Sequence, residues 1–114
     1  DGERQLVALA RALVQRASVL LLDEPAASLD FSNRERVLQV LASLAEEGLA
    51  VMFSTHDPND ALRIAPNVLL MGRGQQPSFG PTDRLVRPEP LSAAYGARLQ
   101  EAVARDGRRV ITSA

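Results

Sequence analysis

Apolar positions along this chain follow two alternating patterns. Leu6, Leu9, Ala10 and Leu13 recur at i, i+3, i+4 and i+7, which predicts an amphipathic helix over Glu3–Gln15. Asp1 and Gly2 are suitable residues for its start. The continuous run Val19–Leu22 then reads as a short strand buried on both faces. After a loop over 26–30, a second helical pattern covers about Ser32–Glu47, with Val37, Val40, Leu41 and Leu44 on its inner face and Gly48 as its stop. Leu49–Ser54 is a second apolar strand, ended by Thr55, His56 and Asp57. Pro58 can open a short helix to about Ile64. Val68–Met71 is a third strand, and a turn at Gly72–Gly74 returns the chain as a short edge strand beside which Pro77 is tolerated.

Strand and helix alternate at lengths that imply crossover connections, so the expected class is α/β with a mostly parallel sheet and flanking helices. The pattern changes after Gly80. Pro81, Pro88 and Pro90 punctuate short helices predicted at Thr82–Val86 and Glu89–Tyr95. Leu99–Arg105 is compatible with helix by composition, but Asp106-Gly107 ahead of Arg109-Val110-Ile111-Thr112 is a hairpin signal, and a terminal β-hairpin is the expectation. Residues 1–80 are thus read as one α/β unit and 81–114 as a C-terminal extension of short helices and a hairpin.

Composition narrows the chemistry. With 114 residues, 46% hydrophobic and 24% charged, the chain has enough apolar material for a core. A net charge of −1 gives no electrostatic case for a nucleic-acid partner. There is no cysteine, which removes thiolate chemistry and disulfides. No apolar run approaches the roughly 18 residues of a membrane span, and no apolar stretch behind basic residues suggests a signal peptide, so a cytoplasmic protein is expected. All thirteen basic residues are arginine. A phosphate-cradling loop of the form GxxxxGK[ST] requires its lysine and is therefore not in this sequence. Starting without methionine, the chain is read as part of a longer protein.

The tips of the strands carry the candidate chemistry. In a parallel α/β sheet, ligands bind at the carboxyl ends of the strands. Asp23, Glu24 and His56 all fall there, from two different strands. A strand-end carboxylate suits a magnesium ion that also holds phosphates, and a second carboxylate one residue on can polarise a water. Taken alone, an apolar strand followed by Asp-Glu is as readily a charged strand end. His56, the lone histidine, can donate to a phosphate oxygen from its place in Ser54-Thr55-His56-Asp57, although isolated histidines are more often structural. Gly2-Glu3-Arg4-Gln5 opens a helix, whose free N–H groups favour an anion.

Taken in order, DGERQLVALARAL, VLLLDEP, SLD and STHD resemble the carboxyl-terminal half of the ATP-binding subunit of ABC transporters, and the resemblance covers nearly the whole chain. It implies a three-layer P-loop NTPase-type fold, here as a partial domain, and an ATPase using ATP and Mg2+. It also implies residue roles. Asp23 is similar to the Walker B aspartate that holds the metal through water, Glu24 to the catalytic base, and His56 to the switch histidine at the γ-phosphate. Asp30, in Ser28-Leu29-Asp30, matches the D-loop that crosses to the other subunit. Gly2, Glu3, Arg4 and Gln5 match the end of the signature motif, which closes over ATP on the opposite subunit; Asp1 stands where glycine is commoner. The implied partners are a second ATP-binding subunit in a homodimer and transmembrane permease subunits, at the cytoplasmic face of the membrane. The stretches SLDFSNRERVL, STHDPNDALRIA and LSAAYGARL resemble importers of metal chelates such as siderophores, haem and cobalamin. Lacking the lysine loop, the chain alone is expected to be inactive. A soluble, non-transport ABC ATPase and a truncated, non-catalytic interaction module are the alternative readings.

Overall fold

A computed structural model describes residues 2–16 and 18–114. The expectations placed on Asp1 lie outside the described residues. The chain divides into two compact units that meet in sequence at His56 and Asp57.

The first unit contains helix α1 (Gly2–Val14), strand β1 (Val19–Asp23), helix α2 (Phe31–Glu46) and strand β2 (Ala50–Ser54). Strands β1 and β2 are parallel, in register from Val19 opposite Ala50 to Asp23 opposite Ser54, and α2 forms the crossover between them. Helix α2 begins where Asp30 caps it: the Asp30 side chain accepts from the Asn33 N–H at 2.8 Å. It ends in a Schellman motif. Gly48 takes φ +101°, its N–H donates to the Ala45 carbonyl at 3.0 Å, and the Leu49 N–H reaches back to the Leu44 carbonyl at 3.1 Å. Replacing Asp30 by Ala should lower stability by about 1 kcal/mol, read as an earlier denaturant midpoint; an unmoved midpoint would mean that the cap contributes nothing.

The core of this unit is Leu9, Leu20, Ala26, Val37, Leu38, Leu41 and Leu44. Two expectations are corrected here. Leu38, not Val40, completes the inner stripe of α2. Both choices satisfy a 3.6-residue period, and only the packing partner separates them. Strand β1 is also not buried on both faces: Leu20 is inside, whereas Val19 and Leu21 stand exposed, Leu21 at 70%. Its outer face continues across β2 in Met52, which is also exposed.

The second unit contains helix α3 (Pro58–Ile64), strands β3 (Asn67–Leu70) and β4 (Ser78–Pro81), helices α4 (Thr82–Leu85) and α5 (Pro88–Tyr95), and strands β5 (Leu99–Val103) and β6 (Arg109–Ser113). Pro58 takes the first turn of α3, and Asp57 caps it by accepting from the Asn59 N–H at 2.9 Å. The expected hairpin is present. β5 and β6 pair antiparallel, and Gly107 takes φ +85° in a turn where the Asp106 side chain accepts from the Arg108 N–H. Ala61, Val86, Leu91 and Ile111 form the core. The Asn59 side chain acts as a short strand edge: its amide donates to the Ile111 carbonyl at 3.0 Å and its oxygen accepts from the Ile111 N–H at 2.8 Å. Buried Thr82 is held by donation from its hydroxyl to the Ala65 carbonyl.

The α/β class holds, but the expected mostly parallel sheet does not describe these strands. Among the described residues, β1–β2 is parallel, while β3–β4 and β5–β6 are antiparallel, in three separate two-stranded sheets. The two antiparallel pairs follow the turn expected at Gly72–Gly74 and the expected terminal hairpin, and the parallel pairing is that of β1 with β2.

Candidate active site

The register of β1 on β2 builds the site. Pairing Asp23 with Ser54 puts both side chains at the carboxyl end of the pair, on one face. The Ser54 hydroxyl donates to Asp23 Oδ1 at 2.5 Å. The chain then turns at Glu24, whose N–H points back to Ser54 and donates to its carbonyl at 3.2 Å and its hydroxyl at 3.0 Å. Two residues past the end of β2, His56 places Nε2 3.4 Å from Glu24 Oε1. Asp23, Glu24 and His56, predicted together from the ends of two strands, are thus brought together within one unit.

Glu24 holds an unusual backbone. Its φ of +46° lies in the left-handed region, as does that of Ser28 at +62°. For a residue with a side chain this costs on the order of 1–3 kcal/mol and persists only where the surroundings enforce it. Here the two bonds to Ser54 and buried Pro25 and Ala26 provide that enforcement. The turn continues as the Ala27 N–H donates to the Glu24 carbonyl at 3.1 Å, and the Arg34 guanidinium donates to the Ala26 carbonyl at 3.4 Å. The consequence for chemistry is that the Glu24 carboxylate leaves the line of the strand and stands beside the imidazole.

The other predicted residues are placed elsewhere. Gly2, Glu3, Arg4 and Gln5 form the first turn of α1, with Glu3 and Arg4 exposed. Asp30 caps α2. Sequence reasoning missed Ser54, which bonds to both Asp23 and Glu24. It stands two residues before His56, but its importance depends on the strand register, which its neighbours in sequence do not reveal.

The donor set of this cluster is oxygen-rich and solvent-facing, with Asp23 exposed and already held at one oxygen. That fits Mg2+, which takes one or two carboxylates and completes its shell with waters and phosphates. Among the described residues no group of three or more His, Cys, Asp or Glu side chains is arranged to hold a metal by itself.

Residues 1–59 match the family model described as "AAA domain, putative AbiEii toxin, Type IV TA system". Curated relatives agree over most of the chain. It is 44% identical over 109 residues to the thiamine import ATP-binding protein ThiQ of Mesorhizobium japonicum, covering 92% of this chain and 43% of that protein. It is 42% identical over 99 residues to the cobalamin import ATP-binding protein BtuD of Halobacterium salinarum, covering 86% and 25%. A solved structure, "An inward-facing conformation of a putative metal-chelate type ABC transporter", superposes with a TM-score of 0.91 at 33% identity, covering 99% of this chain and 46% of that one. The chain therefore spans less than half the length of these relatives. With the AAA-type pattern over its first 59 residues and this agreement in sequence and structure over nearly all of it, the chain belongs to the ATP-binding proteins of ABC transporters.

Proposed function

We propose that this chain carries the hydrolytic half of an ATPase that drives import through a membrane permease. The observation that supports it is the meeting of Glu24, just after Asp23 at the end of β1, with His56, two residues past β2, His56 Nε2 lying 3.4 Å from Glu24 Oε1. In this reading Glu24 is the general base that takes a proton from the attacking water, and His56 contacts the terminal phosphate and steadies the Glu24 carboxylate. Asp23 would hold Mg2+ through water. When bound, Mg2+ supplies charge neutralisation on the phosphate oxygens. Asp30 and the turn Gly2-Glu3-Arg4-Gln5 serve as the D-loop and the end of the signature, facing a second ATP-binding subunit in a homodimer.

Residues 1–80 are then the carboxyl-terminal half of the ATP-binding domain, with 81–114 its extension. No described helix is long and apolar enough to cross a membrane. The likeness to import ATP-binding proteins supports a place on the cytoplasmic face, where permease subunits hold the protein. For cargo we favour metal chelates, supported by the superposing metal-chelate type transporter and the cobalamin relative. Thiamine, molybdate and phosphonate importers are similar in sequence to a like degree, as expected for a subunit that drives transport without touching the cargo.

The test is His56→Ala in the full-length protein. Steady-state phosphate release should fall by at least about 10²-fold, because the variant removes a charge-stabilising contact to the reacting phosphate. Normal turnover would return His56 to a structural role and remove the observation on which the proposal stands.

A further inference from the structure

We propose that Ser54 is a positioning residue for this site, its hydroxyl setting both the Asp23 carboxylate and the Glu24 turn. The inference rests on the reading of Asp23 and Glu24 given above, and extends it to a residue outside the hydrolytic set. One side-chain oxygen makes two contacts of opposite sense. It donates to Asp23 Oδ1 at 2.5 Å and accepts from the Glu24 N–H at 3.0 Å. The first contact occupies one lone pair of Asp23 and fixes which carboxylate edge remains for the cation. The second, with the Ser54 carbonyl at 3.2 Å from the same N–H, holds Glu24 at φ +46°.

Both effects require a hydroxyl at this register position. Alanine or valine could supply neither a donor to Asp23 nor an acceptor for Glu24, although the backbone carbonyl would stay. Ser54 is exposed and contributes nothing to the core of its unit, so packing does not account for a hydroxyl there. Groups that orient a metal-binding carboxylate from behind are typically worth about 10–100-fold in metal affinity or activity.

The experiment compares Ser54→Thr, Ser54→Val and Ser54→Ala in the full-length protein. Thr and Val have nearly the same shape and differ in the hydroxyl. Ala tests the same loss without added bulk, in case Val disturbs the strand end. Two quantities are measured: kcat and KM for ATP, and Mn2+ affinity by electron paramagnetic resonance in the presence of a non-hydrolysable ATP analogue. Thr should stay close to the parent protein. Val and Ala should weaken Mn2+ binding and lower kcat, each by about 10–100-fold, with KM for ATP little changed. If Val and Thr behave alike in Mn2+ binding, the proposal is overturned. Asp23→Asn and Glu24→Gln serve as controls that separate the two levels. If both controls hydrolyse ATP normally, the site assignment fails and the role of Ser54 falls with it. If both are crippled while Val and Ala are not, Ser54 alone is wrongly assigned.

Discussion

Replacing Glu24 by Gln in the full-length protein is expected to leave nucleotide binding intact and to cut hydrolysis by about 10²–10⁴-fold, the usual cost of losing a general base. The amide matches the carboxylate in size, keeps an acceptor oxygen and can still meet His56, but it cannot take a proton from water. Its backbone demands are the same: Gln, like Glu, must accept φ +46° between β1 and Pro25, and the bonds from the Glu24 N–H to Ser54 are made by the main chain. The fold should therefore not move, and the loss should appear in kcat. The Glu24 side chain is 37% exposed and so within reach of a water from solvent. Phosphate release at saturating Mg-ATP, with binding of a fluorescent nucleotide in parallel, measures both halves of the expectation. Parent-level turnover would take Glu24 out of the reaction, and lost binding would assign it to holding the nucleotide.

The largest expected loss of stability follows Leu41→Ala. Leu41 is 1% exposed, at the centre of the inner stripe of α2 with Val37, Leu38 and Leu44. Truncation removes buried methyl groups and leaves a cavity that its neighbours fill only in part, at a cost of about 2–5 kcal/mol. Against a total stability of about 5–15 kcal/mol for a typical domain, that leaves little margin. Gln39→Ala, two residues away on the exposed side of the same helix, should change stability by no more than about 0.5 kcal/mol. Chemical denaturation of the two variants gives the comparison. Equal midpoints would mean that α2 does not pack by the face described.

Much of the local structure was legible along the chain. Gly48, Pro58 and the Asp106-Gly107 turn mark where elements start and stop, because capping and turn formation involve groups within a few residues of one another. The two long helices followed from periodicity, though not every position of their buried faces, and the strand ends placed Asp23, Glu24 and His56 in the same region. Their order along the chain was also enough to suggest the family, since sequence motifs survive without knowledge of what they touch.

The tertiary structure decided what depends on partners distant in sequence. That Asp23 lies opposite Ser54 is a property of the β1–β2 register, in which a one-residue slip would carry the hydroxyl to the other face. That Glu24 turns into the left-handed region follows from bonds to a residue thirty positions later. The exposure of Leu21 and the burial of Leu38 in place of Val40 are likewise outcomes of packing. Apolarity and period state that a residue can be buried, or that a segment can pair. Which face is covered and which strand is met depend on the free energy of contacts that close long loops, and that energy is not written in any short stretch of the chain.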